Sequence, residues 1–221
     1  MLSRRTFVAG TAAAVLLPPR WDAAPTPVGY APPLTPDAAL ARLVDGNTRF
    51  VSKQLTSFHD DLDILKQNTV DKQEPFAAVL SCADSRVPVE LIFDQTIGHV
   101  FVTRVAGNIA SAEIIASLEY GVAVLGTKLI MVMGHGACGA VKAAISAKAV
   151  PGQISALYRY IRPAIDQAGT DLDAAIRANA LIQARLLREA SPVMAEAIAQ
   201  KTLRVVASVY DLASGKVTLL S

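Results

Sequence analysis

Two short motifs in this sequence place cysteine and histidine where they could hold a metal ion. Cys82, Asp84 and Arg86 form a Cys-x-Asp-x-Arg motif, and His135 and Cys138 form a His-x-x-Cys motif. These are the only two cysteines of the chain. Two thiolates and one imidazole satisfy three positions of a tetrahedral zinc ion, and the His-x-x-Cys spacing lets one turn supply two ligands. The residue types therefore predict a Zn²⁺ site.

The fourth position of that zinc ion separates two functional classes. Water in this position would make the site open and catalytic, whereas Asp84 in this position would make it closed and structural. Two other interpretations are open at this point. Cys82 and Cys138 could form a disulfide if the protein is exported, and an isolated Asp84–Arg86 pair is usually an ordinary surface ion pair.

The elements around the motifs alternate between strands and helices. Residues 76–81, 100–105 and 129–133 are short apolar runs rich in β-branched residues, and helical stretches are predicted near residues 88–93 and 111–124. Strands separated by helices imply a mainly parallel sheet with helices on both faces. Both motifs follow a strand, so they should meet at the carboxyl edge of the sheet, where such folds place their sites.

The ends of this fold also show clear signals. Thr35 is a predicted N-cap for a helix that begins at Pro36, with Leu40, Leu43 and Val44 on one face. Alanine-rich segments between residues 153 and 200 predict further helices, and residues 203–210 and 216–220 predict a C-terminal hairpin. The expected fold class is α/β, with a mainly parallel central sheet flanked by helices.

Length and charge limit the functions that are open to the chain. Its 221 residues, of which 52% are hydrophobic, can bury one sizeable core. The formal net charge is +2, and removing Arg4, Arg5, Arg20 and Asp22 from the 21 basic and 19 acidic residues leaves 18 of each. No field of one sign is present to recruit nucleic acid or an anionic membrane, so we expect neither partner.

The N-terminus has the pattern of an export signal. Arg4 and Arg5 precede an apolar run from Phe7 to Leu17, which is too short for a stable membrane span and has the size of a secretory h-region. The pattern resembles a twin-arginine signal. We therefore expect a signal segment at 1–24, a proline-rich linker at 25–35 and a single domain at 36–221. The expected location is outside the cytoplasm, either periplasmic or secreted.

The order and spacing of the motifs resemble the β-carbonic anhydrase family. The similarity covers most of the chain from Leu40 to Leu219. Besides the two metal motifs it includes Gly46-Asn47-Thr48-Arg49-Phe50, Pro88-Val89-Glu90-Leu91-Ile92-Phe93-Asp94-Gln95, Arg104-Val105-Ala106-Gly107-Asn108, Glu119-Tyr120 and Tyr210-Asp211. The resemblance implies that Cys82, His135 and Cys138 bind zinc, which makes the disulfide interpretation far less favourable. It also implies that Asp84 and Arg86 form a catalytic dyad beside the metal.

The same resemblance assigns the substrate pocket. Its positions match Gln73, Phe101, Ala106, Tyr120 and Gly139. In the family the pocket is shared across a dimer interface, so the resemblance implies a homodimer or a dimer of dimers. The implied substrates are carbon dioxide and bicarbonate.

The implied reaction is the reversible hydration of CO₂ to bicarbonate and a proton. Zinc with two thiolates is a milder Lewis acid than zinc with three histidines, but it still lowers the pKa of a bound water from about 15.7 towards roughly 7. Gln73 could orient the neutral substrate, while Arg86 keeps Asp84 ionised as a hydrogen-bond acceptor. Two alternatives are hydrolysis of CS₂ or COS on the same fold and a zinc-stabilised binding module without catalysis.

One departure from part of the family concerns the fourth zinc ligand. Some members bind bicarbonate at a second site built from a tryptophan, a glycine and an arginine, and this binding favours closure of the aspartate on the metal. Here Val79 and Ser81 replace the tryptophan and the glycine, while Arg104 is retained. We therefore expect that second site to be absent. The Asp84–Arg86 pair should then stay intact and the zinc site should be open to water or a small anion at neutral pH, with Asp84 a ligand only in a closed state.

Overall fold

The computed structural model describes residues 34–57 and 72–221. The predicted signal segment at 1–24 lies outside these residues. So does the linker predicted at 25–35, except for its last two residues.

The described residues contain seven α-helices, one short 3₁₀ helix and five strands. Their bounds are α1 Pro36–Val51, β1 Ala77–Ser81, α2 Val89–Ile92, β2 Val100–Arg104, α3 Ala112–Ala123, β3 Leu129–His135, α4 Gly139–Ser146, the 3₁₀ helix Ile154–Leu157, α5 Tyr158–Ala168, α6 Leu172–Ala190, α7 Pro192–Ala199, β4 Arg204–Tyr210 and β5 Val217–Leu220. Every predicted strand is present within a few residues of its expected bounds.

The five strands form one sheet in the order β2-β1-β3-β4-β5. β1 is parallel to both β2 and β3, and β3 is parallel to β4. Only β5 is antiparallel, and it closes the C-terminal hairpin with β4. The predicted α/β class with a mainly parallel sheet is thus confirmed. Because β1, β3 and β4 run in the same direction, the residues that follow them meet at one edge.

One face of the sheet is covered by α1 and α2. Thr35 caps α1, since its hydroxyl accepts a hydrogen bond from the Ala38 amide at 3.2 Å. Leu40 and Leu43 are buried in this layer, whereas Val44 is 42% exposed. The buried stripe of α1 runs along Ala39, Leu40 and Leu43, and Val44 lies at its edge.

The opposite face is covered by α3, α6 and α7. Alternate residues of β1 and β3 point to the two faces, and all residues of both strands are buried. Val79 packs towards α1, whereas Ala78 and Leu80 join Leu118 and Leu187 in the other layer. Burial on both faces explains why these strands are continuously apolar.

The connection after β3 contains a helix that the sequence did not reveal. α4 occupies Gly139–Ser146, where only a turn motif had been recognised. It packs against α5 and α6 around a third apolar cluster that includes Cys82 and Cys138. In the part of the chain that the structure describes, no helix is both long and apolar enough to cross a membrane.

Candidate metal centre

Three side chains converge at the carboxyl edge of the sheet. The ligand atoms of Cys82, His135 and Cys138 all lie within 4.8 Å of one another, and the three residues are buried. Both cysteines are free thiols. The arrangement is the size of a metal coordination sphere with one side left for a further ligand.

Each ligand is placed by the end of a regular element. Cys82 directly follows β1, and His135 is the last residue of β3, which is hydrogen-bonded to β1. Cys138 is the N-cap of α4. Ala137 adopts a positive φ of 52°, which folds the chain back so that one turn supplies both His135 and Cys138.

The imidazole of His135 is oriented by its own turn. Its Nδ1 lies 2.9 Å from the carbonyl oxygen of Gly136. A carbonyl only accepts, so Nδ1 carries the proton and Nε2 presents a lone pair. Nε2 is buried and no described residue forms a hydrogen bond with it. A buried nitrogen that forms no hydrogen bond with the described residues and faces two thiols fits a zinc ligand.

The two thiols have pKa values that are shifted in opposite directions. The neighbouring Cys138 thiol is the largest influence that lowers the pKa of Cys82, and the Gly107 amide, 3.3 Å from its sulfur, acts in the same direction. The hydrogen bond with Cys82 raises the pKa of Cys138 most, and burial and the charge on Cys82 act in the same direction. Both sulfurs would coordinate zinc as thiolates, so metal binding would release the protons that they hold.

Asp84 and Arg86 lie at the mouth of this cluster. Arg86 donates from Nε to Asp84 Oδ1 at 2.9 Å and from Nη2 to Oδ2 at 2.8 Å. Its backbone amide also donates to Oδ1, at 3.0 Å. Asp84 Oδ2 lies 3.8 Å from Nε2 of His135. The carboxylate is therefore held by a bidentate arginine, beside the position that a metal ion would occupy.

The hydrogen bonds from Arg86 lower the pKa of Asp84 well below its usual value. The carboxylate is thus an acceptor throughout the neutral range. Arg104 supports the same turn, because it donates to the carbonyl oxygens of Cys82 and Asp84. Arg104 is the last residue of β2, so this strand holds the backbone between Cys82 and Asp84 in place.

The remaining predicted residues divide into two groups. Ala106 lies beside Gly107 in the loop that contacts Cys82, and Gly139 begins α4 with open space where a Cβ would stand.

The second group lies far from the metal cluster. Phe101 is paired with Ala78, which precedes Cys82 by four residues. At 3.3 Å per residue this places Phe101 about 13 Å from Cys82 along the strand direction. Its ring is 6.4 Å from that of Tyr120. Gln73 is exposed and precedes β1. The fold of one chain therefore brings Ala106 and Gly139 to the metal cluster but leaves Gln73, Phe101 and Tyr120 towards the other end of the sheet.

Sequence reasoning overlooked two residues near the site. Asn179 and Gln183 of α6 are buried and hydrogen-bond to the loop that follows β2. Their only signal in the sequence is a pair of amides spaced by four in an alanine-rich helix. That spacing places both on one face of the helix.

The chain is similar to carbonic anhydrases over most of its length. The family described as carbonic anhydrase matches residues 77–217. The carbonic anhydrase of Mycolicibacterium smegmatis is 36% identical over 201 residues, which cover 86% of this chain and 96% of that protein.

Solved structures show the same fold. A Coccomyxa β-carbonic anhydrase in complex with acetazolamide is 29% identical with a TM-score of 0.64, covering 82% of this chain and 86% of that one. One of two tetrameric β-carbonic anhydrases from Sordaria macrospora is 25% identical with a TM-score of 0.64, covering 82% of this chain and 96% of its own.

Proposed function

Because the chain belongs to the β-carbonic anhydrase family, we propose that Cys82, His135 and Cys138 hold the zinc ion with which it hydrates CO₂. The products are bicarbonate and a proton. The observation that carries the assignment is the buried cluster of three ligand atoms, in which His135 Nε2 lacks a hydrogen-bond partner among the described residues.

Zinc bound by these ligands supplies a Lewis acid that makes hydroxide available near neutral pH. The residues of the chain supply the positioning. Asp84 accepts a hydrogen bond from the nucleophilic water. This hydrogen bond orients a lone pair of the water oxygen towards the substrate carbon. Arg86 keeps Asp84 ionised and fixed through two parallel hydrogen bonds. Gly139, which offers open space beside Cys138, leaves room for a small neutral substrate.

Stopped-flow CO₂ hydration on protein of known zinc content tests this function. We expect one zinc per chain, and we expect Cys82→Ala or Cys138→Ala to lose both the metal and the activity. Rates with COS and CS₂ should be measured in parallel. A preference for either of these substrates, inactivity of zinc-replete protein, or a Cys82–Cys138 disulfide in active protein would contradict the proposal.

We also propose that Gln73, Phe101 and Tyr120 complete the pocket of a neighbouring subunit. In their own chain they lie away from the metal cluster, and Tyr120 and Val124 form an exposed apolar pair on the surface of α3 and its C-cap, 47% and 62% exposed. Tetrameric relatives favour assembly. Sedimentation equilibrium should give a homodimer or a dimer of dimers, and a fully active monomer would exclude this arrangement.

We propose that Asp84 remains on Arg86 at neutral pH. Val79 and Ser81 replace the residues that form the second bicarbonate site in some members, and Arg104 is engaged with the carbonyl oxygens of Cys82 and Asp84. Bicarbonate binding at such a second site would then not shift the protein towards the closed state. A crystal structure near pH 7 with an Asp84 oxygen about 2.0–2.2 Å from zinc would contradict this expectation.

Export through a twin-arginine pathway is our proposal for residues 1–24, supported by Arg4, Arg5 and the apolar run that follows. Residues 1–30 fused to a folded reporter should carry it out of a bacterial cytoplasm. Changing both arginines to lysine should stop that export. Export that survives the double change would rule out this route.

A further inference from the structure

The loop after β2 reaches the first metal ligand through its backbone. The amide of Gly107 donates to the sulfur of Cys82 at 3.3 Å. Gly107 and Asn108 both have positive φ values, of 79° and 44°. Glycine and asparagine are the residue types that adopt positive φ most readily, so the sequence permits this turn. The contacts around the loop then fix where its amides and carbonyl groups point.

The restraint comes from two buried amides on α6. Asn179 Nδ2 donates to the carbonyl oxygen of Gly107 at 2.8 Å. Gln183 Oε1 accepts from the backbone amide of Ala110 at 2.9 Å. Asn179 is 0% exposed and Gln183 is 1% exposed. The two residues hold the loop on either side of Asn108, at the Gly107 carbonyl group and at the Ala110 amide.

The second amide also fixes the first. Gln183 Nε2 donates to Asn179 Oδ1 at 3.2 Å and to the carbonyl oxygen of Tyr160 at 3.0 Å. These bonds define which end of each amide group faces the loop. Because the nitrogen of Asn179 is turned towards Gly107, its oxygen must be satisfied elsewhere, and Gln183 provides that donor.

Burying two amides in a helix face that is otherwise apolar is costly unless they are fully hydrogen-bonded. An apolar pair would pack there without this cost but would release the Gly107 carbonyl oxygen. The amides are therefore best explained by what they hold, which is a backbone segment in contact with Cys82.

We propose that Asn179 is a positioning residue of the metal centre. By holding the Gly107 carbonyl group, it fixes the peptide plane that follows Gly107 and so limits rotation about the φ and ψ of this glycine. The amide in the preceding plane then stays directed at the Cys82 sulfur, and Gln183 keeps Asn179 in place. An amide donor to a ligating sulfur stabilises the thiolate, and residues behind the ligands commonly change metal affinity by 10–100-fold. The inference depends on the assignment of Cys82 as a zinc ligand.

Zinc release into a chromogenic chelator tests this role without reference to CO₂ hydration. Asn179→Ala should release zinc about 10-fold faster than the unmodified protein. In cobalt-substituted protein the same variant should shift the thiolate-to-metal absorption band. The oligomer that exists in solution is used in each case.

Asn47→Ala is the matched control. Asn47 is another buried asparagine, 5% exposed, which donates to the carbonyl oxygens of Ile92 and Gly215 and accepts from the Val217 amide. Its loss should lower the melting temperature as the loss of Asn179 does. It should leave zinc release within twofold and the cobalt band unshifted, since none of its hydrogen bonds reaches the Cys82 loop.

Gln183→Glu gives a second measurement if Asn179→Ala does not fold. Glutamate retains an acceptor for Ala110 but loses the donor to Asn179, so zinc release should again accelerate, by a smaller factor. Equal release rates in the folded Asn179 and Asn47 variants would overturn the proposal, as would an unchanged rate in Gln183→Glu when that variant alone folds. If the unmodified protein retains no zinc, the ligand assignment itself fails. If it binds zinc tightly and the α6 variants release it normally, only the positioning role fails.

Discussion

The molecule contains two aspartate–arginine pairs that have different surroundings. The scaffold pair is Asp94 with Arg49, between the end of α2 and α1. The metal-centre pair is Asp84 with Arg86, at the carboxyl edge of the sheet. Both carboxyl groups have a lowered pKa, so charge alone does not distinguish them.

Their hydrogen bonds do distinguish them. The side chain of Asp94 is 0% exposed, and among the described residues its two oxygens accept five hydrogen bonds. The donors are Arg49 Nε, the amides of Thr56 and Ser57, and the hydroxyls of the same two residues. Asp94 can accept little more, so it serves to join α1, α2 and the segment that follows α1.

Asp84 is held from one side only. Its side chain is 17% exposed, and within residues 34–57 and 72–221 all three of its hydrogen-bond donors belong to Arg86. Oδ2 accepts one of them and lies beside His135. The comparison shows that a functional carboxylate is fixed in place yet keeps acceptor capacity for something outside the protein, whereas a structural one uses that capacity internally.

The largest expected difference between the pairs is in catalysis. Asp84→Asn retains the shape of the side chain but removes its charge, and we expect kcat/KM for CO₂ hydration to fall by about 10³-fold. Zinc content, measured by metal analysis, should not change. Asp94→Asn should leave the activity per folded molecule within twofold. Comparable losses in the two variants would mean that the two aspartates do not differ in their contribution to catalysis.

The difference should reverse when stability is measured. Asp94→Asn leaves Arg49 without its counter-charge and turns an amide group towards other donors, so urea unfolding should show a loss of about 3 kcal/mol. Asp84→Asn should cost less than about 1 kcal/mol, because the Arg86 side chain is 53% exposed and exposed pairs contribute little. An equal loss of unfolding free energy in both variants would show that the two ion pairs stabilise the protein equally despite their different exposure.

The pH dependence of stability sharpens the same comparison. Burial disfavours the charged form of Asp94, but the hydrogen bonds from Arg49, Ser57 and Thr56 outweigh it and lower the pKa of this carboxyl group. Its stabilisation is therefore complete above the unfolded pKa of about 3.9 and is lost as pH falls below that value.

The stability difference between the unmodified protein and Asp94→Asn should accordingly shrink between about pH 5 and pH 3. Urea denaturation at several pH values measures it. Both proteins carry the same metal centre, so the pH dependence of that centre cancels in the difference. A constant difference over this interval would mean that the pKa of Asp94 is the same in the folded and the unfolded protein.

A smaller effect should separate two glycines that share a backbone conformation. Gly107, beside Cys82, has a φ of 79°, and Gly126, between α3 and β3, has a φ of 71°. A Cβ on Gly107 would lie 2.9 Å from Cδ1 of Ile161, whereas a Cβ on Gly126 would meet nothing within 4 Å. Gly126→Ala should cost about 1 kcal/mol and Gly107→Ala about 1 kcal/mol more, measured by urea unfolding. Equal costs would mean that the Ile161 side chain moves aside freely.

Local patterns in the sequence were enough to predict the fold class and to bring the metal ligands together. The strands that end at residue 81 and at residue 135 are short apolar runs, and the His135–Cys138 spacing fits within one turn. Each of these signals spans fewer than ten residues. The family resemblance then assigned roles that spacing alone left open, such as zinc in place of a disulfide.

Other features depend on contacts between distant parts of the chain. The exposed position of Val44 depends on how α1 lies against the sheet, and α4 is an eight-residue helix between a turn and a loop, without a side-chain hydrogen bond at its N-cap. Asp94 closes its network with donors 37 to 45 residues away. No periodicity in the sequence reports which distant donor a carboxylate will find.

The sequence by itself determined which residue types could bind zinc, because His135 ends a strand and the two cysteines follow strands whose pattern is local. Only the tertiary structure decided what supports them. Asn179 lies 72 residues from Gly107 along the chain, yet its amide nitrogen is 2.8 Å from the carbonyl oxygen of that residue. Such a contact follows from the packing of α6 against the sheet, and packing is a property of the whole core rather than of any one segment.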